Sequence, residues 1–271
     1  MKDYFNRDYS FLKDKKLWLF DMDGTIYLGD KLFCGVKEFF SSLKNKGVNY
    51  AFITNNSSKG KKDYLSKILG FSIDATEENF YTSVDASIQI LKKEFNNSLI
   101  YAQGTKSFIK NLMDGGLNVT TDYNENAKCI IVGFDSELNF DKLTTTCKML
   151  LKDIPYYATN PDWVCPTEFG YVPDCGSMCF GIEKATGRKP IFIGKPSGFM
   201  IEKAMEKFGV EKKDTVVIGD RIYTDIASGV NAGVDTILVL SGECTIKDYE
   251  ESEIKPSLVI GEVNKLNKLF K

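Results

Sequence analysis

The strongest constraint on the fold of this chain is the segment 19–25, which reads Leu-Phe-Asp-Met-Asp-Gly-Thr. An apolar run of strand length, 16–20, ends directly before Asp21, and Asp23 and Gly24 follow at once. Open α/β sheets bind ligands at the carboxyl ends of their strands, so the segment predicts a sheet edge that carries two carboxylates. One carboxylate would attack a phosphate group or bind a metal, and the other would transfer protons.

Two other kinds of site also contain closely spaced aspartates. A helix-loop-helix calcium site needs acidic ligands at alternating positions, a distal glutamate and a preceding helix, whereas an apolar strand precedes Asp21. A sugar-nucleotide transferase that holds its metal with an Asp-x-Asp pair would use the same two residues, and this alternative stays open. Phosphoryl chemistry is the favoured interpretation of the motif.

The amino-acid composition excludes several mechanisms. The 271 residues contain no histidine, which rules out Ser-His-Asp and Cys-His hydrolases and metals held by histidine. Acid–base chemistry then depends on carboxylates, and a divalent metal held by oxygen atoms points to Mg²⁺. The seven cysteines include no Cys-x-x-Cys pair, which favours reduced thiols over a zinc site.

Charge and hydropathy predict where the protein works. The net charge of -2, with lysines spread among acidic residues, gives no electrostatic signal for nucleic-acid binding. No apolar run approaches the length of a membrane span, and the charged start does not resemble a secretory signal. We therefore expect a cytoplasmic protein that binds neither nucleic acid nor membrane, while its oligomeric state stays unknown.

Polar residues also follow the second predicted strand. The run 48–53 leads into Thr54, Asn55 and Asn56, which would lie beside the Asp21 turn in a parallel sheet. Helix N-caps favour the same residue types, so this segment is also typical of an ordinary helix start. The two interpretations are compatible, because an N-cap at a sheet edge binds phosphate through free backbone amides.

Charged residues follow two further runs that we assign to the same sheet. The run 190–193 leads into Lys195, and the run 215–218 leads into Asp220 and Asp225. Two more strands complete the predicted sheet, at 235–240 and 257–260. A lysine and four aspartates are therefore expected at one edge.

With these motifs the chain resembles the haloacid dehalogenase (HAD) superfamily, and within it the NagD-like p-nitrophenyl phosphatases. The segments 187–197 and 158–162 are especially similar to that group, and they read Gly-Arg-Lys-Pro-Ile-Phe-Ile-Gly-Lys-Pro-Ser and Ala-Thr-Asn-Pro-Asp. The resemblance implies a phosphatase whose core is a Rossmann-like, doubly wound parallel sheet of the α/β class. It covers most of the chain, and no core motif is missing.

The chain between the second and third motifs is too long for a loop and predicts an inserted α/β cap domain. It contains strand patterns at 98–102, 128–134 and 155–159. We expect the hydrolase core at 1–79 and 189–271 and the cap at 80–188. The resemblance implies a large cap that follows the second motif, with the active site in the cleft between cap and core.

The resemblance also implies a role for each charged motif residue. Asp21 would be the nucleophile and a metal ligand. Asp23 would protonate the leaving group, later deprotonate the attacking water, and lend its backbone carbonyl to the metal. Asp220 would complete the metal ligands, and Asp225 would orient Lys195 or a water at the metal.

The remaining candidates would hold the substrate. Thr54, Asn55 and Asn56 would bind the phosphoryl oxygens, while Lys195 would offset their negative charge.

Substrate choice would come from the cap loop 162–169, where Trp163 and Glu168 would cover the leaving group. A surface loop with Trp163 packed under the cap is an equally good interpretation. Cys165 stands where some relatives carry a substrate-contacting histidine, which puts pyridoxal-phosphate specificity in doubt.

Two other classes of function remain as alternatives. A sugar-nucleotide transferase would not need Lys195 or the aspartates Asp220 and Asp225, and a non-catalytic phosphate-binding relative would usually have lost its nucleophile. Because every catalytic position is filled, the leading prediction is an Mg²⁺-dependent phosphatase. Its expected substrates are small phosphomonoesters such as sugar phosphates, nucleoside monophosphates and p-nitrophenyl phosphate.

Overall fold

The computed structural model describes residues 1–167 and 169–270. Within them the strands are β1 (Leu17–Phe20), β2 (Tyr27–Leu28), β3 (Lys31–Leu32), β4 (Asn49–Thr54), β5 (Phe80–Thr82), β6 (Leu99–Gln103), β7 (Asn118–Thr120), β8 (Cys129–Val132), β9 (Tyr156–Ala158), β10 (Val164–Thr167), β11 (Gly170–Pro173), β12 (Ile191–Phe192), β13 (Thr215–Gly219), β14 (Asp235–Val239) and β15 (Leu258–Ile260). The α-helices are α1 (Val36–Asn45), α2 (Lys61–Gly70), α3 (Ser83–Phe95), α4 (Lys106–Asp114), α5 (Phe140–Met149), α6 (Cys175–Thr186), α7 (Phe199–Phe208), α8 (Ala227–Ala232) and α9 (Ile246–Glu251). None of the helices in the described ranges combines the length and apolar character needed to cross a membrane.

The chain divides into two compact units. Unit 1 comprises Met1–Thr54, Lys61–Tyr81 and the segment from Lys195 onward. Unit 2 comprises Asn55–Gly60 and Thr82–Gly194. Unit 2 thus contains most of the range 80–188 expected for a cap. It also contains one short segment before that range, 55–60, and one after it, 189–194.

Unit 1 is built on a six-stranded sheet with the order β15-β14-β13-β1-β4-β5. Strand β1 pairs in parallel with β4 and β13, and the pairs β13 with β14 and β14 with β15 are also parallel. Every residue of β1 and β13 is buried, as expected for central strands of a parallel sheet. The strand order reverses between β1 and β13, which is where open α/β sheets bind ligands. The structure confirms the predicted α/β class.

Aromatic packing holds α1 on this sheet. Trp18 and Phe20 of β1 belong to one core cluster with Phe39 and Phe40 of α1. The rings of Trp18 and Phe39 meet edge to face with their centroids 5.3 Å apart. Such pairs stabilise by about 0.5–1.5 kcal/mol beyond the burial of their apolar area. Packing from β1 and α1 therefore fixes the strand that leads to Asp21.

Unit 2 has its own parallel sheet and its own core. The strand order is β12-β9-β8-β6-β7, and all four pairings are parallel. Its core contains buried side chains of β8, β9 and α6. They include Ile130 and Val132 of β8, Tyr156 of β9, and Cys175, Cys179 and Ile182 of α6.

The structure corrects the placement of the strand 190–193. The sequence assigns this run to the sheet of Asp21, but β12 pairs with β9 at the edge of the unit 2 sheet. Ile191 is 60% exposed, as an edge position allows. A short apolar run predicts that a strand forms but not which sheet it joins, because pairing depends on partners distant in sequence.

The segment 162–169 is also not a simple loop. Residues Val164–Thr167 form β10, which pairs antiparallel with β11 in a two-stranded hairpin. Pro166 lies inside β10, where it would disrupt a central strand, but both strands of an isolated hairpin are edges. Glu168 lies outside the described residues.

Candidate active site

The turn after β1 places Asp21 at the carboxyl edge of the unit 1 sheet. The backbone N–H of Asp21 donates to the carbonyl of Ile218 in β13 at 2.8 Å, so strand pairing continues up to the aspartate. Gly24 then adopts a φ of 84°, a left-handed conformation that favours glycine. A Cβ at position 24 would lie 2.4 Å from a carboxylate oxygen of Asp220. The motif therefore needs glycine here for its backbone conformation and for its lack of a side chain.

Three carboxylates and one ammonium group meet at this edge. One carboxylate oxygen from each of Asp21, Asp220 and Asp225 lies within 4.8 Å of the other two. The Lys195 ammonium donates to Oδ1 of Asp21 and to Oδ1 of Asp225, both at 2.6 Å. It also donates to the backbone carbonyl of Ile53 in β4 at 3.1 Å. Lys195 thus bridges two of the three aspartates and ties them to the neighbouring strand.

The local backbone explains how Asp225 reaches the group. Asp225 lies in a π-helical turn, Ile222–Ile226, which runs directly into α8. Its Oδ2 accepts the backbone N–H of Arg221 at 3.0 Å, while Oδ1 binds Lys195. Single π-helical turns are frequent at functional sites. The wide turn and the Arg221 contact orient the Asp225 carboxylate toward Lys195.

Burial and mutual repulsion perturb the ionisation of the group. Burial, followed by the charge of Asp225, raises the pKa of Asp21 well above its ordinary range. The same two causes raise the pKa of Asp220 to about 7. Burial disfavours the charged form of Lys195, but Asp21 and Asp225 outweigh this effect and raise its pKa. Lys195 and the nearby charge of Arg221, which Glu243 offsets, do not balance three carboxylates, so the site favours a bound cation.

The donor atoms fit a hard divalent cation. The acidic group consists only of carboxylates, without a cysteine ligand. Carboxylate oxygens suit Mg²⁺, Ca²⁺ and Mn²⁺, whereas thiolates and imidazoles suit Zn²⁺ and Cu²⁺. The close approach of three aspartates beside a strand end is therefore suited to a metal that binds oxygen.

Asp23 and Thr54 also lie in unit 1. Asp23 is half-buried and its carboxylate is not one of the three that form the acidic group. The Tyr27 hydroxyl donates to Oδ2 of Asp23 at 3.4 Å. Burial, followed by the charge of Asp23, raises the pKa of Tyr27, so its hydroxyl stays protonated. Thr54 is buried at the end of β4.

The two asparagines after Thr54 belong to unit 2. Asn55 is buried, and its Nδ2 donates to Oδ2 of Asp162 at 3.0 Å. Oδ1 of Asn56 accepts the backbone N–H of Ser58 at 2.9 Å. Thr54 is the last residue of a unit 1 segment, and Asn55 is the first residue of unit 2.

Trp163 of unit 2 is 51% exposed. Its ring meets that of Phe180 in α6 edge to face, with the centroids 5.6 Å apart. The indole therefore packs against Phe180, while about half of the surface of Trp163 is exposed.

Several contacts of the site were not predicted from the sequence, and two of them involve Asp23 and Asp220. The first is the hydroxyl of Tyr27 on Asp23, and the second is the backbone N–H of Glu243, which donates to Oδ2 of Asp220 at 2.7 Å. A signal for the second was present, because Glu243 follows the predicted strand 235–240 and strand ends meet at one edge.

Two family models match the chain. The model described as haloacid dehalogenase-like hydrolase matches residues 18–118, which include Asp21. The model described as HAD-hydrolase-like matches residues 192–266, which include Lys195 and Asp220.

Characterised relatives match almost the whole chain. The 5'-nucleotidase YutF of Bacillus subtilis is 34% identical over 249 residues, covering 92% of this chain and 96% of that protein. The acid sugar phosphatase of Staphylococcus aureus is 31% identical over 253 residues, covering 93% and 97%. The crystal structure of a 4-nitrophenylphosphatase from Thermotoga maritima has a TM-score of 0.90 and 39% identity, covering 96% of this chain and 99% of that one.

These matches confirm the family that the motifs indicate. They give no support to a sugar-nucleotide transferase or to a non-catalytic protein, because the matched families and relatives are hydrolases. Sequence motifs, fold and similarity along nearly the full length agree, and the chain belongs to the haloacid dehalogenase-like hydrolases as a phosphoric monoester hydrolase.

Proposed function

We propose that the chain hydrolyses small phosphomonoesters with Mg²⁺ as cofactor and a phosphorylated Asp21 as intermediate. The main support is the group formed by Asp21, Asp220 and Asp225, with Lys195 bonded to two of them. The relatives are named for nucleotides, sugar phosphates and nitrophenyl phosphate, which share a phosphoryl group and differ in the group that leaves. A site that recognises the phosphoryl group suits all three.

In the first step a carboxylate oxygen of Asp21 attacks phosphorus, and the bond from phosphorus to the ester oxygen breaks. Asp23 gives its proton to the departing oxygen, so that an alcohol leaves. Lys195 fixes the Asp21 carboxylate through Oδ1 and supplies positive charge beside it.

In the second step a water molecule attacks the phosphorus bound to Asp21. Asp23 takes a proton from that water, and the bond between phosphorus and the Asp21 oxygen breaks, releasing phosphate and the free carboxylate. The Thr54 hydroxyl, the backbone N–H of Asn55 and the polar side chain of Asn56 bind the phosphoryl oxygens in both steps.

Asp21, Asp220 and the backbone carbonyl of Asp23 would hold Mg²⁺, with Asp225 orienting Lys195. When bound, the cation supplies positive charge that reduces the repulsion between the nucleophile and the anionic ester. That repulsion is about 4 kcal/mol for one pair of charges 4 Å apart at an effective dielectric constant near 20. Unit 2 contributes substrate choice in this proposal, through Trp163 and its surroundings.

The proposal is tested by release of p-nitrophenol and of phosphate from purified protein. Excess chelator should abolish turnover and added Mg²⁺ should restore it. Asp21→Asn should lower kcat at least about a thousandfold, because an amide does not form an acyl phosphate. Mass spectrometry of acid-quenched wild type should show phosphate on the peptide that contains Asp21.

The matched control is Asp30→Asn, which changes an aspartate of unit 1 that is 92% exposed. It should keep wild-type rates. Full turnover in chelator would exclude the metal-dependent mechanism, and activity of Asp21→Asn within tenfold of wild type would exclude Asp21 as the nucleophile.

A further inference from the structure

The Asp220 carboxylate lies against backbone from two different turns. Its Oδ2 accepts the backbone N–H of Glu243 at 2.7 Å. A Cβ built on Gly242 would lie 2.0 Å from the same oxygen, and one built on Gly24 would lie 2.4 Å from it. Two glycines therefore leave the space that this carboxylate occupies.

The segment 241–243, which follows β14, is itself fixed in place. The Ser241 hydroxyl donates to the backbone carbonyl of Gly24 at 2.7 Å, which joins the two turns. The side chain of Glu243 forms an ion pair with Arg221, with 2.8 Å between Oε2 and Nε. Its Oε1 accepts the Tyr223 hydroxyl at 3.1 Å. The backbone around Asp220 is thus held from both sides.

The two glycines differ in what they require. Gly24 has a left-handed φ of 84°, so a side chain there would strain the backbone as well as approach Asp220. Gly242 does not have a φ in the left-handed region, so its φ does not itself require glycine. What glycine provides at position 242 is space for the carboxylate.

We propose that Gly242 is a positioning residue for Asp220, holding the carboxylate in the orientation in which it binds the metal. The absence of a side chain lets Oδ2 rest against the 241–243 backbone and accept the N–H of Glu243. A methyl group at this position would push the oxygen out of that hydrogen bond. This inference rests on the proposed function, in which Asp220 is a ligand of Mg²⁺.

Gly242→Ala tests the inference because alanine adds one methyl group without straining φ. The matched control is Gly261→Ala, also in unit 1, where a Cβ would meet no atom within 4 Å and φ is again not left-handed. Mg²⁺ binding is measured by calorimetry without substrate, and Mn²⁺ binding by electron paramagnetic resonance. Gly242→Ala should weaken both affinities at least tenfold, and Gly261→Ala should change them less than twofold.

Ser241→Ala provides a second test that adds no atoms. Loss of the hydroxyl loosens the segment 241–243, and we expect metal affinity to fall about threefold. At saturating Mg²⁺ the KM for p-nitrophenyl phosphate should stay within twofold of wild type, because the substrate contacts are untouched. Circular dichroism in chelator shows whether Gly242→Ala folds. If it does not fold, the metal titration of Ser241→Ala tests the inference in its place.

The outcomes separate the two proposals. Wild type that turns over without a divalent metal overturns the proposed function and this inference with it. Wild type that needs and binds Mg²⁺, together with Gly242→Ala that binds it equally well, overturns only the inference. If Gly242→Ala is unfolded, an unchanged Mg²⁺ affinity in Ser241→Ala also overturns only the inference.

Discussion

Lys195 supplies positive charge that reduces the repulsion among three neighbouring carboxylates in a buried site. Two unit charges at the 4.8 Å limit of the group repel by about 3–4 kcal/mol at an effective dielectric constant near 20. Lys195→Met keeps the length of the side chain but leaves Asp21 and Asp225 without their partner. Breaking a buried ion pair in this way costs about 3–5 kcal/mol, and we expect this loss in the free energy of unfolding.

Urea unfolding at neutral pH in chelator measures this effect. The control is Lys203→Met, because Lys203 forms an exposed ion pair with Glu206 in α7 at 2.6 Å. Exposed pairs contribute little, so the control should change stability by less than about 0.5 kcal/mol. Equal stability losses in the two variants would show that Lys195 is not needed for charge balance.

Asp3, which is not part of the active site, should make the stability of the fold depend on pH. Its Oδ1 accepts the backbone N–H of Arg7 at 2.8 Å, and its Oδ2 accepts that of Val259 in β15 at 3.1 Å. Burial raises the pKa of Asp3, but these bonds and the Arg7 charge outweigh it, so the pKa falls below its ordinary value of 3.8. The carboxylate therefore stabilises the fold above the unfolded-state pKa, and this contribution is lost as pH falls through the folded-state pKa.

We expect Asp3→Asn to lower the free energy of unfolding by about 1–3 kcal/mol at neutral pH, since the amide has a single acceptor oxygen and loses one of the two backbone hydrogen bonds together with the ion pair to Arg7. The difference from wild type should stay constant down to about pH 5 and narrow below about pH 4. Urea titrations across this range measure it. A difference that widens in acid would contradict the assigned pKa direction.

Side chains at strand ends are easier to anticipate from sequence than backbone contacts. Asp21 and Asp220 come together because parallel strands finish at one edge, and Asp225 joins them from the π-helical turn that follows β13. Glu243 acts on Asp220 through a backbone N–H, a group that every residue except proline carries. The place of Glu243 after a predicted strand indicates the sheet edge, but the pairing of its N–H with Asp220 becomes visible only when the path of the chain is known.

At the scale of elements, the presence of strands was more predictable than their partners. The central strand β1 is apolar throughout and buried, so its place in the sheet follows from its composition. The short strand β12 has one exposed residue, and its composition fits an edge of either sheet. Its pairing with β9 depends on contacts that no local pattern encodes.

The hairpin β10–β11 is the element on which we test substrate choice. Phe169 and Tyr171 are 82% and 59% exposed, and Trp163 directly precedes β10. Exposed aromatic groups along one hairpin are candidates for ligand contact. Trp163→Ala should change ratios of kcat/KM among phosphate esters about fivefold, which corresponds to about 1 kcal/mol for one lost contact. The Mg²⁺ requirement should not change.

Phe140→Ala is the control, because Phe140 in α5 of the same unit is 80% exposed. Thermal unfolding of both variants shows whether loss of the Trp163 contact with Phe180 has also weakened unit 2. Wild-type ratios across sugar phosphates, nucleoside monophosphates and p-nitrophenyl phosphate in Trp163→Ala would leave the hairpin with a structural role only.

At the scale of the whole molecule, the length of chain between motifs predicts an insertion, but its limits depend on long-range contacts. The segment Asn55–Gly60 joins unit 2 although it is distant in sequence from the rest of that unit. The Ser57 hydroxyl oxygen accepts the backbone N–H of Phe134 at 2.9 Å and lies 3.1 Å from the hydroxyl of Thr159. Small polar residues after a strand carry no signal that distinguishes these contacts from an ordinary helix cap.

Because the sheet and core of unit 2 lie almost entirely within Thr82–Gly194, we predict that a fragment of these residues folds alone. The segment Asn55–Gly60 contributes buried hydrogen bonds to Phe134 and Asp162, so its loss should lower stability without preventing folding. Urea unfolding followed by circular dichroism should show one cooperative transition with a slope of about 1–3 kcal/mol per molar urea.

A shorter fragment, 82–189, is the matched comparison because it lacks only residues 190–194, which include β12. Removal of this edge strand exposes the side of β9 that β12 covers, so we expect a lower midpoint with a cooperative transition retained. A gradual, non-cooperative loss of signal in the longer fragment would mean that the sheet and core of unit 2 are insufficient for folding. The stability of unit 2 would then depend on the rest of the chain.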